Sequence, residues 1–139
     1  MLYTLDTNAI AAILRQDKPF LEHLRACLRE GHELTLNAVC YYETKRGLEP
    51  GIHTRKLQLF EALCQRQKRL DLTTSALDSA SESYQYLRTN GIILEDADIL
   101  LAGIAIANNA TLVTRNTKHF NRIPNLKLEN WEAWPLKRF

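Results

Sequence analysis

The chain has 139 residues, 45% hydrophobic and 24% charged, with a formal net charge of +2. That balance suits one soluble globular domain, 1–139, with a real core, and the charge is too mild to establish a nucleic-acid partner by itself. Cys27, Cys40 and Cys64 are odd in number, widely spaced and without a Cys-x-x-Cys pair, which excludes a disulfide framework or zinc knuckle and points to reduced thiols in a cytoplasmic protein.

No basic segment opens the chain, and Asp6 and Arg15 bracket the short apolar stretch 9–14, so no signal peptide is expected. Residues 1–5 form a β-prone run that ends at Asp6-Thr7-Asn8, and 9–14 read as a helix, which puts Asp6 at a strand-to-helix junction. Phe20, Leu21, Leu24 and Leu28 recur at helical spacing between Pro19, which suits a start, and Gly31, which suits a stop. Residues 33–36 read as a strand, Asn37 as a cap, and 38–48 as a helix carrying Glu43. After the break at Glu49-Pro50-Gly51, the positions Leu57, Phe60, Leu63 and Cys64 mark one apolar helical face. A strand is expected at 70–73, then a helix at 75–89 closed by Asn90-Gly91.

Residues 96–108 are nearly all apolar and read as an interior helix. Their longest apolar run, 99–107, is about half of the roughly 20 residues that span a bilayer. Strands follow at 111–114 and 126–129. Strands alternating with helices imply an α/β fold with a parallel sheet covered on both faces, and sites in such folds gather at the carboxyl ends of the strands.

Three acids fall where such a site would lie. Asp6 closes the first strand, Glu43 lies on the helix after the second, and Asp98 opens the interior helix. An ionised carboxylate in apolar surroundings costs several kcal/mol unless paired or bound to a metal, and the charged neighbours of Asp98 in sequence are Glu95 and Asp96. Oxygen-only ligands favour Mg²⁺ or Mn²⁺ over zinc. Each acid also suits a plainer role: Asp6 as a helix cap, Glu43 as a solvated residue beside Lys45 and Arg46, Asp98 as a first-turn acid complementing the helix dipole.

Leu5-Asp6-Thr7-Asn8, Tyr42-Glu43-Thr44, Asp96-Ala97-Asp98-Ile99-Leu100-Leu101-Ala102 and Leu112-Val113-Thr114-Arg115-Asn116, in this order, resemble the PIN domains of the VapC toxin family. The likeness extends through His119-Phe120, Ile123-Pro124 and Leu128-Glu129-Asn130-Trp131. It implies a PIN-like three-layer α/β/α sandwich with a central parallel sheet. It also implies a Mg²⁺-dependent endoribonuclease, a homodimer, and inhibition by a cognate antitoxin in a toxin–antitoxin pair. Carried over residue by residue, it places the metal on Asp6, Glu43 and Asp98, and puts Asn116 where many PIN domains have a fourth acid, which weakens the case for a second metal. Asn116 can still accept a hydrogen bond from a water ligand, Asp96 can supply the missing charge or be an exposed cap, and Asn8 and Thr114 suit supporting roles.

With such ligands a hard cation polarises a phosphoryl oxygen and acidifies water for in-line attack at phosphorus. Arg46, Arg115, Lys118 and Arg122 lie near the motifs and suit either phosphate binding or ordinary surface charge. His23, His32, His53 and His119 form no metal-ligand pair at helical spacing and are read as surface or packing residues, as Tyr41, Tyr42, Trp131 and Trp134 are read as core or interface. The RNA leaning from the family is tRNA, and the antitoxin is expected to lay apolar side chains beside the helices at 9–14 and 20–28. Two alternatives stand beside this reading. A haloacid-dehalogenase-like phosphatase would also place an Asp after its first strand but expects an acid at position 8; a PIN-like module could bind RNA or protein without cutting.

Overall fold

The computed structural model describes residues 1–132 and the backbone of 137–138; Trp134 lies outside the described residues. The elements run β1 (Leu2–Leu5), α1 (Thr7–Leu14), α2 (Lys18–Arg29), β2 (Glu33–Asn37), α3 (Ala38–Gly47), α4 (Thr54–Arg66) and β3 (Lys68–Leu70). They continue with α5 (Thr74–Thr89), α6 (Asp96–Ala107), β4 (Thr111–Val113), α7 (Thr117–Phe120), β5 (Lys127–Asn130) and β6 (Lys137–Arg138). The sheet order is β3-β2-β1-β4-β5-β6. β1 to β5 run parallel, and β6 adds antiparallel to β5. Helices flank this sheet in the α/β/α arrangement that the alternating pattern predicts.

The central strands are apolar or hydroxyl-bearing on both faces: Tyr3, Thr4 and Leu5 of β1 and Thr111, Leu112 and Val113 of β4 are all buried. That is the composition of a parallel sheet with both faces covered. From β1 the chain builds outward through β2 to β3, then returns to place β4 and β5 on the other side of β1. The order therefore reverses between β1 and β4, and a crevice opens beyond their carboxyl ends.

Two features fix what borders that crevice. Asn37 is fully buried; its Oδ1 accepts from Cys40 N at 2.8 Å, while its Nδ2 donates to Leu5 O at 2.9 Å and Thr4 Oγ1 at 3.1 Å. This one side chain caps α3 and ties its start to the end of β1. On the other side, α6 buries Ile99, Leu101, Ala102, Gly103, Ile104 and Ala105. A Cβ at Gly103 would stand 2.4 Å from the Ala76 carbonyl oxygen and 2.8 Å from the Ala80 Cβ, so glycine is what lets α5 cross α6 this closely.

The strand expected at 70–73 lies earlier, at Lys68–Leu70, because Thr73 caps α5 by accepting from Ala76 N at 3.2 Å. The short α7 is a single turn, too brief to leave a period in the sequence, and it is held by buried Phe120 with Ile123 just beyond it. Gly31 and Gly91, with φ of +83° and +69°, end α2 and α5 as their positions suggest.

Candidate active site

Asp6 follows β1 directly, and its backbone N–H still donates to Val113 O at 3.0 Å, which holds it at the mouth of the β1/β4 crevice. The carboxylate is buried and surrounded by donors. Oδ1 accepts from Thr7 N at 2.7 Å and from Cys40 Sγ at 3.7 Å; Oδ2 accepts from Thr114 Oγ1 at 2.8 Å and Asn8 Nδ2 at 3.1 Å. Burial nevertheless holds the Asp6 carboxyl above the usual aspartate range; the Thr114 and Thr7 hydrogen bonds pull it back, and the charge of Asp98 pushes it further up. The plainer role is also realised, since Asp6 caps α1.

Glu43 is half-buried on the second turn of α3, where its Oε1 accepts from Thr7 Oγ1 at 2.9 Å. Thr7 thus bonds Glu43 through its hydroxyl and Asp6 through its backbone. Asp98 sits in the first turn of α6 and contacts His119, Oδ2 to Nε2, at 2.7 Å. Among the described residues no Lys, Arg or His side chain pairs with Asp6 or Glu43, and Asp98 faces the imidazole of His119.

Asn116 is exposed; its backbone N–H donates to Thr114 Oγ1 at 3.0 Å, and it lines an open groove of about 660 Å³ with Asp98, His119, Glu95, Leu94 and Ile93. Asn8 joins the two loops, donating to Asp6 and Thr114 and accepting from Arg115 N at 3.1 Å. Asp96 is exposed and lines a different groove, against Leu77, Ser81 and Arg88 of α5, so the structure does not bring it to Asp98. Arg115 leans toward Glu132 at 3.8 Å, Arg46 lies over the Tyr42 ring at 5.1 Å, and Lys118 is exposed on α7.

Three residues at the site escaped the sequence reading. His119 is a contact of Asp98 and not simply a packing residue. Cys40 backs Asp6, and burial with the neighbouring carboxylate pushes its thiol well up, so it stays protonated and can donate. Glu95 lines the groove beside Asp98. The available signal was position: all three lie within three residues of a motif acid or Asn116.

The donor set fits a hard divalent ion, being carboxylates with amide and hydroxyl support. Among the described residues no group of three or more His, Cys, Asp or Glu side chains is placed so that it could hold a metal ion by itself. Mg²⁺ commonly keeps several waters and binds through one or two carboxylates plus substrate phosphate. A parallel sheet with acids near its switch point, flanked by hydroxyl and amide groups, is an arrangement of hard oxygen donors of the kind that holds divalent cations beside phosphate esters.

Residues 3–126 match the PIN domain, and the chain belongs to the PIN-domain family. Ribonuclease VapC2 of Rickettsia felis is 36% identical over 143 residues, covering 95% of this chain and 99% of that protein. The tRNA(fMet)-specific endonuclease VapC of Salmonella typhimurium is 28% identical over 93% of this chain and 97% of its own length. Among solved structures, VapBC2 from Rickettsia felis bound to a promoter DNA fragment superposes with a TM-score of 0.86, at 28% identity over 94% of this chain and 99% of that one. DNA-bound VapBC from Salmonella typhimurium gives 0.83, at 26% identity over 94% and 99%. The phosphatase alternative falls with this membership, and position 8 is an amide that bridges the loops where that enzyme class needs a second acid.

Proposed function

We propose that this chain is an endoribonuclease of the VapC kind, the toxin of a toxin–antitoxin pair, with Asp6, Glu43 and Asp98 holding Mg²⁺ or Mn²⁺. The observation that supports this is that Thr7 hydrogen-bonds both Asp6 and Glu43 while the charge of Asp98 bears on Asp6, with no Lys, Arg or His paired to Asp6 or Glu43 among the described residues. Ribonuclease and tRNA endonuclease relatives across nearly the whole chain support RNA hydrolysis.

When bound, such a cation supplies Lewis-acid polarisation of a phosphoryl oxygen and lowers the pKa of water. The chain's own residues hold and orient. Thr7, Asn8 and Thr114 aim the Asp6 carboxylate, Thr7 Oγ1 aims Glu43, and Asn116 offers an amide at the groove for a water or phosphate oxygen. Phosphate approach to this acidic cluster draws on Lys118 and Arg46, which are exposed, and less on Arg115, which Glu132 already attracts. Following the Salmonella relative, tRNA is the substrate class to try first.

The structural neighbours are VapBC complexes, which supports an antitoxin partner and assembly into an oligomer; the homodimer is the assembly that the family resemblance implies. The antitoxin segment would use the first helices. Most apolar residues of α1 are core, leaving Leu28 of α2, 45% exposed, with half-buried Ile13, Leu21 and Leu24 as the surface on offer. Among the described residues no helix is long and apolar enough to cross a membrane.

Purified protein incubated with total tRNA should cut it in Mg²⁺ or Mn²⁺, stop in EDTA and resume on metal return. Undiminished cutting in EDTA would overturn the metal assignment; folded, metal-loaded protein that never cuts RNA would leave a binding module.

A further inference from the structure

The groove beside Asp98 contains a chain of contacts that ends on a fixed positive charge. His119 Nε2 lies 2.7 Å from Asp98 Oδ2, and on the far side of the ring Arg122 Nη2 lies 3.2 Å from His119 Nδ1. Arg122 Nε also donates to the His119 carbonyl oxygen at 3.2 Å, so the guanidinium grips both the ring and the backbone of one residue. The ring is further held edge-on to Phe120, with centroids 5.3 Å apart and planes at 85°, and Phe120 is buried in the core.

A guanidinium carries five donors and no acceptor, and it does not deprotonate in proteins. Its contact with Nδ1 therefore requires the Nδ1 lone pair, which places the ring proton on Nε2. That proton faces Asp98 Oδ2. Oδ1 of Asp98 has no hydrogen-bond partner among the described residues, so the carboxylate is anchored by one oxygen and open by the other.

We propose that His119, held in its Nε2–H tautomer by Arg122, is a positioning residue for Asp98. It fixes the carboxylate's orientation and lends it part of the Arg122 charge through the ring. Asp6 needs no such device, because the Thr7 backbone at the start of α1 and the Thr114 hydroxyl just past β4 already donate to it. Partners behind metal-ligating side chains commonly change metal affinity or activity by 10–100-fold when removed. This inference rests on Asp98 being a metal-holding acid.

The test uses the full chain, with His119→Leu, His119→Gln, Arg122→Ala and Asp98→Asn, each checked for folding by its far-UV spectrum and melt. Nitrogen NMR of the metal-free protein should show the Nε2–H tautomer at His119 in the parent and a mixture in Arg122→Ala. Calorimetric titration with Mn²⁺ should weaken by about 10–100-fold in His119→Leu, and His119→Gln, whose amide can still donate, should recover most of the loss. With a single-stranded RNA oligomer the loss should fall on kcat. A loss confined to KM would instead make His119 an RNA contact and overturn the inference, as would parent-like Mn²⁺ binding in His119→Leu or an Nδ1–H tautomer in the parent. If Asp98→Asn itself binds Mn²⁺ and cuts RNA normally, the underlying metal reading fails; if Asp98→Asn is inactive while His119→Leu behaves as the parent, this inference fails alone.

Discussion

The two walls of the crevice are built differently. On the β1/β4 wall, Asp6 is buried, extends a strand ladder through its own N–H, and has four donors on its two oxygens. On the α6/α7 wall, Asp98 is 30% exposed on its side chain and is held by one contact, to a histidine on a single helical turn that is itself 36% exposed. The first acid is placed by the act of forming the sheet, whereas the second is placed by helix packing and a side-chain chain that a substitution can cut without touching the core. One acid is thus preorganised with the fold, and the other is adjustable, a division that suits the proposed role of holding an ion while admitting RNA.

The strongest way to break this asymmetry is Asp98→Asn. The amide keeps the shape and can still accept from His119, but one of the like charges facing Asp6 is gone. Metal-free protein should melt at or above the parent's temperature, while RNA cleavage falls by roughly 100-fold or more and the Mg²⁺-induced rise in Tm largely disappears. Melts with and without Mg²⁺, run beside a cleavage assay, decide it. A variant that is destabilised without metal and still cuts RNA would make Asp98 a structural residue.

A smaller effect sharpens the other wall. Thr114→Val removes the hydroxyl that donates to Asp6 Oδ2 in a buried bond and accepts from Asn116 N in a part-buried one. Hydrogen bonds to charged groups contribute about 1.5–3 kcal/mol, so Thr114→Val should cost that much in urea unfolding. Thr7→Val, whose hydroxyl bonds half-buried Glu43, should cost less, about 1 kcal/mol or under. Equal costs would mean that the β1/β4 wall is no more tightly built than the rest.

The sheet was legible because its strands are short apolar or hydroxyl runs between helices of clear period, and Asp6, Glu43 and Asp98 stood out as acids at strand ends and helix starts. What position along the chain does not reveal is direction. Asp96 and Asp98 are two residues apart on α6 and so point some 200° apart around a helix, which sends Asp96 to the α5 groove and Asp98 to the crevice. The contact of His119 with Asp98 was hidden for a related reason: the two lie 21 residues apart, and only the fold brings them together. Gly103 gave no sequence signal either, since its role depends on the backbone of α5 passing within van der Waals distance.

The smallest expected effect is on pH dependence. Burial raises the Asp6 carboxyl above its ordinary value of 3.8, so within that window the folded state holds a proton that the unfolded chain has already released. Stability must then fall as pH rises through the window, which opens at the ordinary value and closes at the raised folded one. The sign is opposite to that of a salt-bridged aspartate. In metal-free protein the difference in unfolding free energy between the parent and Asp6→Asn should therefore shift against the parent from acid toward neutral pH and level off above the window. If Asp6 holds the cation as proposed, Mg²⁺ at neutral pH should reverse that shift in the parent but not in Asp6→Asn, because a carboxylate ligates a metal in its ionised form. A parent that gains stability relative to Asp6→Asn as pH rises without metal would show that the donors around Asp6 outweigh its burial, and would place it among ordinary helix-capping aspartates.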